Sequence, residues 1–190
     1  RGGIEIANGE FQAHKLVVDS DMGNFTAQGR YIPAKDYDTD VTVTAVLPAP
    51  RGRTAATVGL VARGDLAHME VALAGRAPKP LHAMLVFDGR TDPSWSASIR
   101  SDELDLALLS PALASSAIAP LALDFTAAGK GGNANLRGKV KQGDQELELA
   151  PSVVSLQDQV LKVSPLLVKG LGGEARLEGT ADFSQEDQQK

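Results

Sequence analysis

An all-β architecture, a long antiparallel sheet that meanders and curls, is predicted by three features of this chain. Its hydrophobic residues recur with a period of two, as in strands that have one dry face and one wet face. Turn residues (Asp, Gly, Pro, Asn) interrupt the alternation at intervals of roughly eight to twelve positions. Its apolar mass is aliphatic, with hydrophobic residues at 43% of the chain but aromatics at only 4%.

The alternation is legible segment by segment. In "DVTVTAV", Val41, Val43 and Ala45 fall on one side, and Thr42 and Thr44 on the other. "HMEVALA" does the same with Met69, Val71 and Leu73, and "HAMLVFDG" with Ala83, Leu85 and Phe87. The signature returns in "SWSASIRS", "ELDLAL", "LALDFTA", "NLRGKV", "ELELA" and "LEGTADF". Together these runs give roughly a dozen strands, more than an open twisted sheet usually carries without curling or splitting. Stacked in one sheet they would extend roughly 55–60 Å along the hydrogen-bonding direction. Such a sheet closes into a packed sandwich or stays open as a trough, and the scarcity of bulky aromatic filling favours the trough.

Three glycine-framed units share one grammar. Gly23, Phe25, Ala27 and Gly29 lie on one face, as do Gly132, Ala134, Leu136 and Gly138, and Gly173, Ala175, Leu177 and Gly179. Every intervening residue is polar. Glycine in a strand interior marks a bend or the close approach of a neighbour. A shift of 150 residues also places Ile4 on Val154, Ile6 on Leu156, Leu16 on Leu166 and Val18 on Val168. The two ends of the chain therefore read as copies of one strand–turn–strand module, the mark of a repeat or solenoid protein.

The uncharged run "LALLSPALASSAIAPLAL" (106–123) approaches the length of a short membrane-spanning helix. Pro111, Pro120 and three serines oppose that reading, because proline breaks the helical ladder. A strand, a short Ala/Ser helix near 110–119 and a second strand are expected instead. The starting Arg1 and the polar end "SQEDQQK" suggest a piece of a longer protein, with a single β-rich unit over 1–183 and a polar tail over 184–190.

Several chemistries find no support. A net charge of −5 offers no basic footprint for nucleic acid, and the absence of cysteine removes disulfides and thiolate metal sites. Asp36, Asp38 and Asp40 alternate as in a calcium loop, but Val41 and Leu47 stand where an EF-hand needs Gly and Glu. His14, His68 and His82 are isolated from one another, "GKGG" lacks the P-loop spacing, and no nucleophile elbow is present. The basic turn "PAPRGRT" (48–54) reads as an exposed loop. No catalytic residue, metal or cofactor is expected, and the chain does not read as an enzyme.

From Trp95 onward the order of elements resembles the TamB family of the AsmA-like superfamily. The resemblance rests on a strand around Trp95, the "LDLA" of Leu104, Asp105, Leu106 and Ala107, and Pro111. It continues through a glycine-framed strand to the closing "GGEARLEG" with Gly172, Gly173, Leu177 and Gly179. The match is firm over 94–183, with a weaker copy over 1–93. It implies a half-open, solenoid-like β-taco with an apolar concave face. It implies a periplasmic segment of a Gram-negative inner-membrane-anchored protein, moving phospholipid toward the outer membrane and serving outer-membrane protein assembly with a TamA-like barrel. Acyl chains would then line the alternating aliphatic face. The candidates are Phe25, Ala27, Val41, Val43, Val58, Leu60, Met69, Val71, Leu85, Phe87, Ile99, Leu104, Leu106, Leu123, Phe125, Leu136, Val154, Leu156, Leu166, Val168 and Leu177. The other reading is a structural β module, a sandwich or solenoid piece, that binds protein partners by adding a strand to an exposed edge.

Overall fold

Period-two alternation becomes thirteen strands, each paired with its neighbour in sequence. A computed structural model describes residues 2–49, 54–90, 92–109, 119–157 and 159–182. The strands are β1 (Gly3–Ala7), β2 (Glu10–Ser20), β3 (Gly23–Ile32), β4 (Asp38–Leu47), β5 (Ala56–Gly64), β6 (His68–Arg76) and β7 (Pro80–Asp88). They continue as β8 (Ser94–Leu104), β9 (Leu121–Lys130), β10 (Asn133–Gln142), β11 (Gln145–Gln157), β12 (Val160–Gly170) and β13 (Gly173–Asp182). All thirteen form one antiparallel sheet in strict sequence order, so β1 and β13 are its two edges. The sheet is curled and does not close into a barrel. No second sheet packs on it among the described residues, so the sandwich alternative gives way to a single layer.

Turn chemistry sets each reversal. Asn8 and Gly9, at φ 52° and 78°, form the two-residue left-handed turn that matches the twist of the strands it joins. Among the described residues helix is confined to one turn, α1 (Leu106–Leu109). The alternation in "ELDLAL" predicts a strand there, but the strand stops at Leu104. The Asp105 carboxylate accepts the Ala107 N–H at 3.0 Å, and the Asp105 N–H donates to the Ala77 carbonyl at 2.7 Å. That capping arrangement starts a helix and turns the chain out of the ladder. The helix expected near 110–119 falls almost wholly on 110–118, which lie outside the described residues, as do 50–53 of the basic turn and the tail.

Four interruptions break the register, and two of them carry proline. In β12 the pairing with β13 jumps between Val163 and Leu166, across Ser164 and Pro165. Opposite β10, Leu149 and Ser152 of β11 flank Ala150 and Pro151. Proline has no N–H to give a ladder, so it sits where the ladder is already broken. The remaining two lie between Ala13 and Leu16 and between Ser101 and Leu104.

The two chain ends superpose in register as well as in sequence. β2 pairs Ala13 with Gly29, skips to Leu16 with Ala27, and ends on Ser20 with Gly23. β12 pairs Val163 with Gly179, skips to Leu166 with Leu177, and ends on Gly170 with Gly173. Each pair is displaced by 150 positions, with the bulge included. The hairpin before it agrees too: Ile4 pairs with Ala13, and Val154 with Val163.

That equivalence separates two glycines of one grammatical role. Gly29, at φ 144°, lies where a Cβ would strike the β4 backbone at Asp40 and Val41. Its counterpart Gly179 stands on the edge strand with no atom nearby. Gly29→Ala is therefore expected to cost about 1–3 kcal/mol of stability. Gly179→Ala is expected to be neutral to within about 0.5 kcal/mol. Urea unfolding midpoints of the two variants measure the difference.

Candidate functional site

Residues directly opposite one another in an antiparallel pair share a face, so the registers assign every paired side chain to one side. One face collects Phe25, Ala27, Gly29 and Tyr31 of β3 with Val41, Val43 and Ala45 of β4. It continues through Val58, Leu60 and Ala62, then Met69, Val71 and Leu73, then Leu81, Ala83, Leu85 and Phe87. Trp95, Ala97, Ile99 and Ser101 follow, then Leu123, Phe125, Ala127 and Gly129. Ala134, Leu136, Gly138 and Val140 carry it into Leu147, Leu149, Ser152 and Val154. Leu161, Val163, Leu166 and Val168, with Ala175 and Leu177, complete it. Among the paired residues no Asp, Glu, Lys, Arg or His lies on this face from β1 to β13.

The charges occupy the other face, where they order themselves by register. Arg100, Asp124, Lys139, Glu148, Lys169 and Glu174 stand opposite one another in succession from β8 to β13, alternating in sign. Arg30, Asp40, Arg63 and Glu70 do the same from β3 to β6. Arg63 Nε lies 3.2 Å from Asp40 Oδ1, and Lys139 Nζ lies 3.8 Å from Glu148 Oε2. Directly opposed unlike charges contribute a few tenths of a kcal/mol each and penalise wrong registers, where like charges would meet.

The uncharged face is half-buried over most of its centre and more exposed toward its edges. Leu85 is 41% exposed, and Leu156 and Leu177 near the C-terminal edge are 53% and 61% exposed. At its centre the sheet forms a cleft of about 530 Å³ lined by Leu60, Val71, Leu73, Leu85, Ile99, Phe125, Leu136 and Leu149, among others. Leu60 on β5 and Leu149 on β11 are six strand steps apart, about 29 Å in a flat sheet. Curling the sheet brings their strands around one concavity.

One margin of the face is covered over its middle strands. Ala56, Ala77, Leu81 and Leu104 form a buried cluster, with Leu47, Leu73, Ile99, Leu106 and Leu123 packed against it. α1 thus covers the strand ends from β4 to β9, while Val18 and Leu147 on the same side stay exposed. At the opposite strand ends the face finishes in a rung of larger rings. Phe11 pairs with Tyr31, and Phe87 with Trp95. The Trp95 indole lies over Gly129, where a Cβ would collide with it. Just beyond that rung come ion pairs. Lys130 Nζ is 2.6 Å from Asp92, and Arg90 donates to Asp88 at 3.2 Å. The hydrogen bonds from Arg90 hold the Asp88 carboxyl below its ordinary range, and Asp92 raises Lys130 above its own.

Of the twenty-one aliphatic and aromatic candidates, all but Leu106 lie on this one face by register. Leu106 belongs to α1 and packs on the buried cluster, and Leu104, 4% exposed, belongs to that cluster rather than to the open floor. The groove candidates left out Leu73, which the alternation had already set beside Val71, and also Ala97, Ala127 and Leu149, which keep the parity of a candidate on their own strand or of Leu147. Sequence reading also missed the charge ladders, which need the register to be seen. Asp38 and Asp40 are engaged by Arg30 at 3.3 Å and Arg63 at 3.2 Å, and no metal-holding group of three occurs among the described residues. His14 and His68 pair with Glu5 and Glu70 on the charged face, and His82 stands there opposite Ala74 and Arg100. No helix among the described residues is long and apolar enough to cross a membrane. Comparison with known proteins finds no matching family model, curated protein or solved structure.

The covered margin and the floor should respond differently to truncation. Leu104→Ala removes a buried side chain and is expected to cost about 2–4 kcal/mol. Leu136→Ala, on the half-exposed floor, should cost about 1 kcal/mol. Chemical denaturation of both variants distinguishes them.

Proposed function

We propose that this chain is a lipid-conducting segment, in which the uncharged face of the curled sheet holds phospholipid acyl chains while headgroups stay in solvent. The observation that carries the reading is that one face remains free of charge across thirteen strands and has no second layer among the described residues. A sheet face of this extent leaves far more apolar surface exposed than single scattered residues do, and large exposed apolar surfaces mark interaction sites. The central cleft falls within the range of about 300–1,000 Å³ common for small-ligand sites. The resemblance to TamB-like proteins agrees with this chemistry. With that resemblance, the proposal extends to a segment in the periplasm of a Gram-negative bacterium, in an inner-membrane-anchored protein that works with a TamA-like barrel.

The energetics suit passage rather than storage. Each methylene moved from water to an apolar surface gains about 0.8 kcal/mol, so ten buried methylenes offset about 8 kcal/mol. Relative to a bilayer, where those methylenes are already dry, the transfer is near neutral. Tails can therefore enter and leave without a deep well.

Edge-strand addition has its own observation. Every residue of β13 is exposed, and no strand among the described residues pairs with its outer edge. Such an edge is a template for a further strand.

Native mass spectrometry of the protein after incubation with phosphatidylcholine vesicles is expected to show bound phospholipid. Leu60→Glu and Leu136→Asp put a carboxylate on the floor and should reduce bound lipid at least tenfold. Circular dichroism should stay unchanged, because both positions are half-exposed. A protein that never retains lipid would leave only the strand-adding module.

A further inference from the structure

The two margins of the trough differ in chemistry, and the difference orients a bound lipid. A single unbroken rung runs along one margin through Phe11, Tyr31, Met69, Phe87 and Trp95, reaching Val163 in β12. The chain has eight aromatic residues, and four of them stand in this rung. A fifth, Tyr37, flanks it, its ring centroid 6.3 Å from that of Tyr31. The opposite margin, around Leu47, Ala56 and Leu104, carries one ring against four, Phe25 on the rung of Leu81, and is covered from β4 to β9 by α1 and its buried cluster.

We propose that phospholipid enters over the aromatic margin, with its headgroup held at the level of Trp95 and its tails directed across the sheet toward α1. This rests on the lipid-conducting reading above. Tyrosine and tryptophan combine an apolar ring with one polar tip, which suits them to the boundary between hydrocarbon and water. At these strand ends charged groups follow the rings, with Asp88 and Lys130 on the charged face by register beside Arg90 and Asp92 of the turn. With Asp65 of the neighbouring turn they come to three anions and two cations. The margin therefore offers no excess cation to an anionic lipid, and the headgroup assigned to it is zwitterionic.

Dimensions agree. From Phe87 on the rung to Leu81 in the buried cluster is six residues along β7, about 20 Å of strand. One leaflet's share of a bilayer core is about 15 Å. Tails laid along the strands fit between the rung and the plug.

Trp95 is the chain's only tryptophan, so its fluorescence reports the depth of a quencher. The full chain is titrated with phosphatidylcholine carrying a nitroxide either on the choline or near the end of one acyl chain. The headgroup label is expected to quench Trp95 at least twofold more strongly than the chain-end label. With the reporter moved to the α1 side (Trp95→Phe with Val140→Trp), the order should reverse. Replacing phosphatidylcholine by phosphatidylglycerol should not raise the bound fraction. Equal quenching by the two labels, or stronger chain-end quenching of Trp95, overturns the orientation. Stronger binding of the anionic lipid overturns the zwitterionic assignment. Lipid retained in native mass spectrometry without quenching by either label rejects the aromatic margin and leaves the conduit standing. Absence of both lipid and quenching removes the conduit itself.

Discussion

The pairing register between successive strands decides where every side chain in this protein goes. In a sheet with a side-chain period of two, a slip of one residue would exchange the faces of a whole strand. Here the two faces could hardly differ more, one uncharged through thirteen strands and the other carrying ladders of alternating charge. With no second layer among the described residues, no packed partner sheet corrects an error. The register must be set locally, and it is, by tight turns such as Asn8-Gly9 and by opposed unlike charges such as Asp40 with Arg63. Ring-on-glycine contacts add to this. A Cβ at Gly138 would collide with the Phe125 ring, so that pair meets only in the native alignment.

The same constraint explains what could be read from the residues alone. In β3 to β7, which run without interruption, alternation assigned Val41, Leu60, Val71 and Leu85 to one face, and the pairings agree. The bulged strands were harder. In β11 the face-bearing positions change from Leu147 and Leu149 to Ser152, Val154 and Leu156, a parity switch that no fixed period contains. Leu106 shows a different limit. Its alternation continued that of Leu104, but Asp105 had already begun to cap a helical turn, and a backbone hydrogen bond to Ala77 decided the outcome. Features made from many strands at once, the aromatic rung and the charge ladders, were illegible until the register was known. Their members are spaced by hairpin lengths rather than by any motif.

Repetition gives the molecule a logic beyond its own length. β1 to β3 and the matching part of β11 to β13 share strand bounds, bulge and pairings at a displacement of 150. In the first copy, Gly23 and Gly29 lie where side chains would meet the β4 backbone. In the last copy, Gly173 and Gly179 have the same place in the pattern and empty space beside them. The edge of β13 thus presents a surface whose twin is covered by a strand. Quasi-one-dimensional proteins behave this way, because each unit interacts only with its neighbours.

Glycine framing also bears on what such a face can do. Bulky rings raised above an aliphatic floor would divide it into pockets, and a pocket that fits one tail well would hold it. Over Gly138 and Gly129 the rings of Phe125 and Trp95 lie against bare backbone instead. The floor keeps its apolar area while losing relief. Ala27, Ala62, Ala83, Ala97 and Ala127 extend the same low profile from strand to strand. Under the conduit reading, that smoothness accounts for a composition rich in alanine and glycine and poor in rings. A tail sliding past exchanges one methyl neighbour for another at nearly constant energy. Under the same reading, the choice of what enters falls to the margin where the rings gather, rather than to the floor.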